Sequence, residues 1–305
     1  MTTLRSIFLA ARPKTLPAGL VAVWAGCIVV AKFRQATGAC GPTEIQLNYT
    51  LAIFTALSCM CIQIACNFFN DALDARRHAD TERRQGPMRI TASGRMSPLA
   101  VQLWGCVFLG IAALMAMPLI QAQGWAIVGI GIPCMLCAYA YTGGPYPLAY
   151  HALGELFVLL FFGLGAVMGT VFVQIGWKPD YVQVYMAAFM LGTVCGLLSC
   201  VLIEVNNIRD RVEDATTGKR TLAVRLGDRR ARGLAMAFLV APYAVVRHLA
   251  GMLPGVSWNW AWPCAILVAG LLLHKIMRTP ADKRMNVLLG LASLHMILYM
   301  LALSL

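Results

Sequence analysis

Long apolar runs dominate this chain, and short polar stretches separate them. A helix needs about 20 mostly apolar residues to cross the hydrocarbon core of a membrane, and nine runs come near that length. The seventh run is the weakest, because Arg247 and His248 lie near its end. The pattern predicts nine transmembrane helices, at about 16–34, 47–69, 98–118, 122–141, 153–174, 183–205, 233–250, 258–275 and 286–304.

The composition supports this fold class and excludes a water-soluble one. Of the 305 residues, 59% are hydrophobic and only 12% are charged, whereas soluble domains carry about 25% charged residues. No low-complexity segment interrupts the apolar runs. The chain is therefore predicted to be an all-α polytopic membrane protein with one domain over residues 1–305.

The net charge of +12 raises the possibility of nucleic-acid binding, but the positions of the basic residues argue against it. With nine spans and an inside N-terminus, 21 of the 25 Lys and Arg residues fall inside and 4 fall outside. The positive-inside rule predicts this asymmetry for a cytoplasmic N-terminus. We therefore expect no nucleic-acid partner, and the lipid bilayer explains most of the basic excess.

Two polar stretches at the inner ends of the second and sixth predicted helices share one spacing. Asn70 is followed by Asp74, and Asn206 is followed by Asp210 and then by Asp214. Residues at i, i+4 and i+8 lie along one face of a helix. The two stretches begin 136 residues apart (Asn70 to Asn206). This matching pattern predicts a repeat of about four helices, whose polar ends face each other.

Carboxylates that are brought together in this way repel each other unless a cation lies among them. Hard oxygen ligands favour Mg²⁺ or Ca²⁺, and Mg²⁺ commonly completes its shell with substrate phosphates. Basic residues follow both stretches, and a diphosphate needs such charge-assisted donors. Most of these arginines fit an ordinary solvated inner loop equally well. Arg89, Lys219 and Arg225 favour binding, because each lies beside other motif residues.

The stretches "NDALDARRHAD", "YTGGPYPLAYHALGELFVLLFFG" and "NNIRDRVEDATTGKRTLAVRLG" resemble the UbiA superfamily of intramembrane aromatic prenyltransferases. The similarity extends from Arg12 to about Gly227 and is greatest to the 1,4-dihydroxy-2-naphthoate branch of the menaquinone pathway. The resemblance implies nine helices around a central cavity that opens to lipid. It also implies a polyprenyl diphosphate and an aromatic acceptor as substrates, in the plasma membrane, with the motifs on the cytoplasmic side.

The resemblance also implies roles for individual residues, with two Mg²⁺ ions bridging the aspartates to the diphosphate. One departure is His78, which stands where the general family motif has its last aspartate; the naphthoate branch places that aspartate nearer to Asp80. The expected metal ligands are Asp71, Asp74, Asp80, Asp210 and Asp214. The expected substrate-binding and catalytic residues are Asn70, Asn206, Arg12, Lys14, Arg89 and Lys219, with the aromatic faces of Tyr139, Tyr141 and Tyr146 and the carboxyl group of Glu155.

Several alternatives remain open from the sequence. The three tyrosines also suit anchoring at the membrane interface, and Glu155 also suits the positive end of a helix. A prenyltransferase with 4-hydroxybenzoate or homogentisate as its acceptor would carry the same aspartate motifs. A secondary transporter is a more distant alternative, because transporter sites lie near the bilayer midplane and these acids lie at helix ends. The prenyl chain length and the oligomeric state do not follow from the sequence.

Overall fold

The computed structural model describes residues 7–8, 10–13, 16–37, 45–77, 85–86 and 89–305. Within this part of the chain the structure is helical and contains no strand, which confirms the predicted fold class. Nine principal helices follow one another: α1 (Pro17–Thr37), α2 (Tyr49–Arg76), α3 (Pro98–Gln123), α4 (Ala126–Ala140), α5 (Gly154–Ile175), α6 (Val182–Thr216), α7 (Leu222–Met252), α8 (Ala261–Arg278) and α9 (Asn286–Ser304).

Eight of these helices in the described ranges are long and apolar enough to cross a membrane, and α4 is shorter. The predicted fourth span covered 122–141, but α3 continues to Gln123 and leaves α4 only 15 residues. Gly124 makes this break possible, because its φ of 68° ends α3 in a conformation that L side chains rarely adopt. The fourth apolar run is therefore a short helix.

The seventh helix begins earlier than the predicted span 233–250. It starts at Leu222, with Thr221 as its N-cap, and a break at Gly227 separates a first turn from the main helix. The charged residues that follow pack against the protein: Arg232 donates to Asp228 over 2.8 Å and to the carbonyl of Thr279 over 2.8 Å. Arg232 thus satisfies a free carbonyl at the end of α8, which explains why a charged segment is helical and partly buried.

The bundle leaves much apolar surface outside and packs a large core within. Helix α2 packs along α3, α6 packs along α7 and α5, and α8 packs along α9. Large apolar side chains such as Leu114, Leu136 and Leu267 are about two-thirds exposed. An exterior of this kind would be a liability in water and suits contact with lipid, so the chain is a multi-span membrane protein.

Helix α5 approaches α6 closely where its backbone widens into a π-helical segment at Leu159–Gly165. A Cβ atom on Gly163 would lie 2.5 Å from the carbonyl oxygen of Gly192 and 2.7 Å from the Cα atom of Gly196. Small residues permit such close contact between membrane helices. Because α5 and α6 each carry site residues, this contact fixes two walls of the site relative to each other.

We expect Gly163→Ala to lower the melting temperature in detergent, because the added methyl group forces two packed backbones apart. Overpacking of this kind costs about 1–3 kcal/mol. Gly110→Ala is the matched control, since nothing lies within 4 Å of a Cβ atom at Gly110, and alanine favours the helix there. Equal melting temperatures for Gly163→Ala and the parent would show that the close contact is unimportant.

Candidate active site

The polar ends of α2 and α6 meet through one lysine. The ammonium nitrogen of Lys219 lies 3.8 Å from a carboxylate oxygen of Asp74 and 4.0 Å from one of Asp214. A turn at Gly218, with φ of 76°, brings Lys219 back beneath α6, where its N–H donates to the carbonyl of Asp214 over 2.9 Å. The predicted meeting of the two motifs is therefore present, with a cation between them.

Asp74 is the most heavily engaged carboxylate of the cluster and is only 2% exposed. Arg89 donates to one of its oxygens over 2.6 Å, and the hydroxyl of Tyr150 donates to the other over 2.8 Å. Burial, followed by the Asp74 carboxylate, raises the pKa of the Tyr150 phenol well above its usual range. Tyr150 therefore stays neutral and keeps its proton directed at Asp74.

Asp210 has a cation of its own. Arg209 donates to its two oxygens through Nε and Nη2, each over 2.7 Å. The remaining guanidinium nitrogen of Arg209 donates to Asn286 over 2.6 Å and so ties the site to α9. Among the described residues, no three acidic side chains form a ready metal cage. Instead, Asp74, Asp210 and Asp214 each have a basic side chain beside them.

The structure gives Asp71 a different position from the expected metal site. Its carboxylate accepts hydrogen bonds from the backbone N–H groups of Ile90 and Thr91, over 3.1 and 3.2 Å, and from the hydroxyl of Thr91. These bonds hold the segment that carries Arg89 against α2. Asp71 therefore orders the Arg89 loop through both of its carboxylate oxygens.

Other predicted residues take varied positions. Asn70 accepts a hydrogen bond from the hydroxyl of Thr142, which places it beside the segment between α4 and α5. The amide of Asn206 turns back to the carbonyl of Leu202 in its own helix. Arg12 adopts a left-handed φ of 52°, next to a carbonyl that Asn67 holds over 2.9 Å. Lys14, His78 and Asp80 lie outside the described residues.

The segment between α4 and α5 packs across the cluster and carries Tyr150, which sequence reasoning did not select. The Tyr150 ring lies between two cations, with the guanidinium carbon of Arg77 at 5.0 Å and the Lys219 nitrogen at 5.7 Å from its centroid. Arg225 donates to the carbonyl of His151 over 3.2 Å and holds the same turn. The sequence indicated Tyr150 only through its place in "GGPYPLAY". Tyr146 lies four positions earlier in the same stretch, and nothing in the pattern distinguishes the two tyrosines.

The predicted tyrosines separate into two groups. Tyr141 lines both cavities described below. Tyr139 instead packs edge-on against Phe69, with ring centroids 5.4 Å apart. Tyr146 is exposed and stacks on His151 at 3.6 Å. The structure therefore brings Tyr141 to the site and leaves Tyr139 and Tyr146 away from it.

An apolar cavity of about 190 Å³ lies deeper in the bundle than the polar cluster, and it shares Tyr141 with a small cavity that Lys219 lines. It runs along α2 from Thr55 to Cys66, between walls formed by α3, α4 and α5. Cys66 precedes Asp74 by two helical turns, or about 12 Å along the helix axis. The cavity lining is mostly aliphatic, aromatic and thiol-bearing. It suits a long hydrocarbon chain whose charged end lies at Asp74 and Lys219.

A second, much smaller cavity lies on the other side of Tyr141. Its lining includes Glu155, Asn207, Lys219 and Thr221. The arrangement therefore combines an apolar channel, a cluster of carboxylates and cations at its end, and a polar recess beside both. Such a site can hold an anionic head group and an apolar tail together while the helix walls exclude water.

Comparisons with known proteins agree with this arrangement. The UbiA prenyltransferase family matches residues 36–296. The 1,4-dihydroxy-2-naphthoate octaprenyltransferase of Mycobacterium leprae is 33% identical over 277 residues, which are 90% of this chain and 85% of that protein. Among solved structures, a UbiA homologue from Aeropyrum pernix aligns with a TM-score of 0.68 at 14% identity, over 95% of this chain and 98% of that one.

A UbiA homologue from Archaeoglobus fulgidus, solved with GPP and Mg²⁺ bound, aligns with a TM-score of 0.60 at 16% identity over 98% of this chain and 99% of that one. At such low identity the two structures support the fold alone. The family match and the naphthoate-specific relative together support an enzyme that prenylates an aromatic ring. This chain belongs to the UbiA prenyltransferase family, and it is a membrane-embedded aromatic prenyltransferase.

Proposed function

We propose that this enzyme transfers a polyprenyl group from a polyprenyl diphosphate to 1,4-dihydroxy-2-naphthoate, with Mg²⁺, and releases diphosphate and CO2 to give demethylmenaquinol. The observation that carries the proposal is the Lys219 bridge between Asp74 and Asp214 at the end of an apolar cavity. The naphthoate acceptor is the one named for the Mycobacterium leprae relative.

The residues present fit a divalent cation at the end of α2 and α6. Asp74, Asp210 and Asp214 offer hard carboxylate oxygens, and Mg²⁺ in proteins commonly takes one or two carboxylates together with substrate phosphates. We assign Asp74 to one Mg²⁺ ion, and Asp210 and Asp214 to a second. When bound, the metal would neutralise charge on the departing diphosphate. Asp80 remains a further candidate for this role, and the Archaeoglobus fulgidus homologue was solved with Mg²⁺.

Lys219 and Arg89 supply the remaining positive charge. Lys219 lies between the two carboxylates and would donate to the diphosphate oxygens, while Arg89 forms an ion pair of 2.6 Å with the buried Asp74. Arg12 and Lys14 are further candidates for the diphosphate from the side of the N-terminal segment. Donors that are fixed in advance at a developing negative charge stabilise the transition state strongly.

Departure of the diphosphate leaves an allylic cation, which must be kept from water. The lining of the large cavity excludes water, and the face of Tyr141 lies where the apolar and polar cavities adjoin. An aromatic face stabilises a neighbouring cation by about 0.5–2 kcal/mol. A ring carbon of the acceptor then captures the allylic carbon.

The orientation in the membrane follows from charge. The Lys and Arg excess on the side of the polar cluster supports an N-terminus and an active site on the cytoplasmic side of the plasma membrane. The site residues that the structure describes lie in one helical bundle, which supports a single prenyltransferase domain over residues 1–305.

The test is a product assay with purified enzyme in lipid nanodiscs, Mg²⁺ and geranylgeranyl diphosphate. Separate reactions would receive 1,4-dihydroxy-2-naphthoate, 4-hydroxybenzoate or homogentisate, and mass spectrometry would detect prenylated products. We expect a decarboxylated prenyl naphthoquinol from the first acceptor only. Product from another acceptor alone would overturn the naphthoate assignment, and product formed in excess EDTA would overturn the metal dependence.

A further inference from the structure

Two buried glutamates lie where α5 meets α6, apart from the carboxylates proposed to hold the metal, and one of them, Glu155, lines the small polar cavity. Glu155 stands at the start of α5 and is 5% exposed, and Glu204 stands in α6 and is 0% exposed. Buried acids inside an apolar helix bundle are costly and are functional candidates. Neither residue has a part in the proposed binding of the diphosphate.

Glu204 precedes Asn207 by three residues in α6, so its side chain lies on the same helix face as the amide that holds Glu155. Asn207 donates to one oxygen of Glu155 over 2.7 Å. The other oxygen of Glu155 and both oxygens of Glu204 receive no hydrogen bond from the described residues. Two adjacent buried carboxylates repel each other, and a proton taken up from a neighbouring group relieves that repulsion. Such a pair has capacity for a hydrogen-bond donor from a substrate.

The cavity at Glu155 is the right size for such a donor. Its volume is about 20 Å³, which suffices for one water molecule or one hydroxyl group and excludes an aromatic ring. Tyr141 lines this recess and also the larger cavity of about 190 Å³. An aromatic acceptor in the larger space would therefore reach the recess with a ring hydroxyl. Lys219, on the same wall, joins the recess to the diphosphate cluster.

We propose that the Glu155 carboxylate receives the proton of an acceptor hydroxyl, while Asn207 and Glu204 hold Glu155 in place. The proposal rests on the proposed function, because it assigns a site to the hydroxylated acceptor. Loss of the proton makes the ring more electron-rich at the moment when the allylic carbon needs a nucleophile. Glu155 would thus work on the acceptor, while Asp74 and Lys219 work on the donor.

In the proposed step, one proton moves from the acceptor to Glu155 and later returns. The O–H bond breaks and its proton goes to Glu155, and the freed pair forms a C=O bond. A ring π pair forms the new C–C bond to the allylic carbon, whose C–O bond breaks with its pair leaving on the diphosphate. The carboxylate on the attacked ring carbon then departs as CO2, and its bonding pair restores the aromatic ring. The oxygen takes its proton back from Glu155.

Because the proton returns to the same oxygen, Glu155 is regenerated without any exchange with water. A fully buried pair is suited to this cycle, since it requires no path to the solvent. Replacement of a ring hydrogen, as in 4-hydroxybenzoate prenylation, would release a net proton that must leave the site. The burial of Glu155 and Glu204 therefore favours a decarboxylating acceptor.

The experiment compares the parent, Glu155→Gln, Glu155→Asp and Glu204→Gln in nanodiscs, with Mg²⁺, geranylgeranyl diphosphate and 1,4-dihydroxy-2-naphthoate. We expect Glu155→Gln to lower kcat at least a hundredfold, within the usual range for a general base. Glu155→Asp keeps a carboxylate, and its kcat should lie between those of the parent and of Glu155→Gln. Glu204→Gln mimics the protonated partner and loses less than tenfold. Asp180→Asn, in an exposed turn, is the control for acid-to-amide substitution and keeps parental activity.

Two further readouts separate this role from a structural one. The rise in melting temperature with Mg²⁺ and geranylgeranyl diphosphate should match the parent in Glu155→Gln, since the donor site is intact. Its rate should rise with pH, because the substrate hydroxyl then ionises without help from Glu155. A kcat within threefold of the parent in folded Glu155→Gln overturns the proposal.

The outcomes also separate this proposal from the proposed function. If Glu155→Gln does not fold, as the absence of cooperative melting would show, two other variants test the assignment. Parental kcat values in both Glu155→Asp and Asn207→Leu overturn it. If the parent forms no prenyl naphthoquinol, the proposed function is wrong and the assignment of Glu155 is wrong with it. Product from the parent with equal product from Glu155→Gln overturns the assignment alone.

Discussion

Asp74→Asn should lower kcat on the order of a thousandfold, the largest effect we expect from a single substitution. Asp74 is buried at the point where Arg89, Tyr150 and Lys219 converge. Its amide analogue lacks the charge that holds a divalent cation and the lysine together. A thousandfold loss corresponds to about 4 kcal/mol of transition-state stabilisation, a reasonable share for metal-assisted departure of a leaving group. The measurement is the rate of prenyl naphthoquinol formation at saturating concentrations of both substrates.

A second carboxylate and a matched control make this result interpretable. Asp214→Asn should lose activity similarly, and it is the safer variant for folding, because its cation partner Lys219 is partly exposed. Asp228→Asn also removes a carboxylate from an ion pair, with Arg232, but it lies outside the cluster. Its kcat should stay within about twofold of the parent. More than a tenth of parental turnover in both Asp74→Asn and Asp214→Asn would contradict the role of the cluster.

Lys219→Met should lower kcat/KM for the diphosphate on the order of a hundredfold, as expected for the loss of one fixed donor to a developing negative charge. The structure predicts a second effect in the absence of substrate. Without the ammonium group, Asp74 and Asp214 lose the cation that lies between them. Added Mg²⁺ should therefore raise the melting temperature of Lys219→Met more than that of the parent.

Both effects should be absent in Lys283→Met, where the lysine is exposed in the turn that precedes α9. Lys219→Arg should retain the stability of the parent without Mg²⁺ and recover part of the activity, because a guanidinium group keeps the charge but not the compact geometry. Parental kcat/KM in Lys219→Met, or an equal Mg²⁺ effect on the two melting temperatures, would show that the lysine does not join the two helices' carboxylates.

The sequence allowed the helices and the meeting of the two motifs to be predicted for simple reasons. Apolar runs of membrane length permit few alternatives to a helix. The i, i+4 spacing of Asn70 and Asp74, with its match at Asn206 and Asp210, survives because α2 and α6 continue as helices to Arg76 and Thr216. A local period and a shared side of the membrane were sufficient to place the cluster.

The partners of each carboxylate depend on tertiary contacts and could not be predicted in the same way. Tyr150 reaches Asp74 across 76 residues, through a turn whose path no periodic pattern encodes. Arg209 holds Asp210 although side chains at i and i+1 do not usually face each other on a helix. Asp71 lies three residues before Asp74, but its carboxylate accepts hydrogen bonds from the backbone of the loop that carries Arg89.

The different positions of two of the tyrosines could have been predicted from the sequence. Tyr139 and Tyr141 are two positions apart, and 3.6 residues make one helical turn, so their side chains lie about 200° apart around α4. Both could not face the same cavity. The structure places Tyr141 there and turns Tyr139 towards Phe69.

The central claim is that α2 and α6 form one site that binds a diphosphate through a divalent cation. Isothermal titration of geranylgeranyl thiodiphosphate, a slowly transferred donor, into the parent, Asp74→Asn, Asp214→Asn and Asp228→Asn tests it most directly. We predict binding in the parent and Asp228→Asn with Mg²⁺, and a loss of at least tenfold in affinity with EDTA or in either of the other variants. Equal affinity with and without Mg²⁺, or undiminished affinity in Asp74→Asn and Asp214→Asn, would contradict the account.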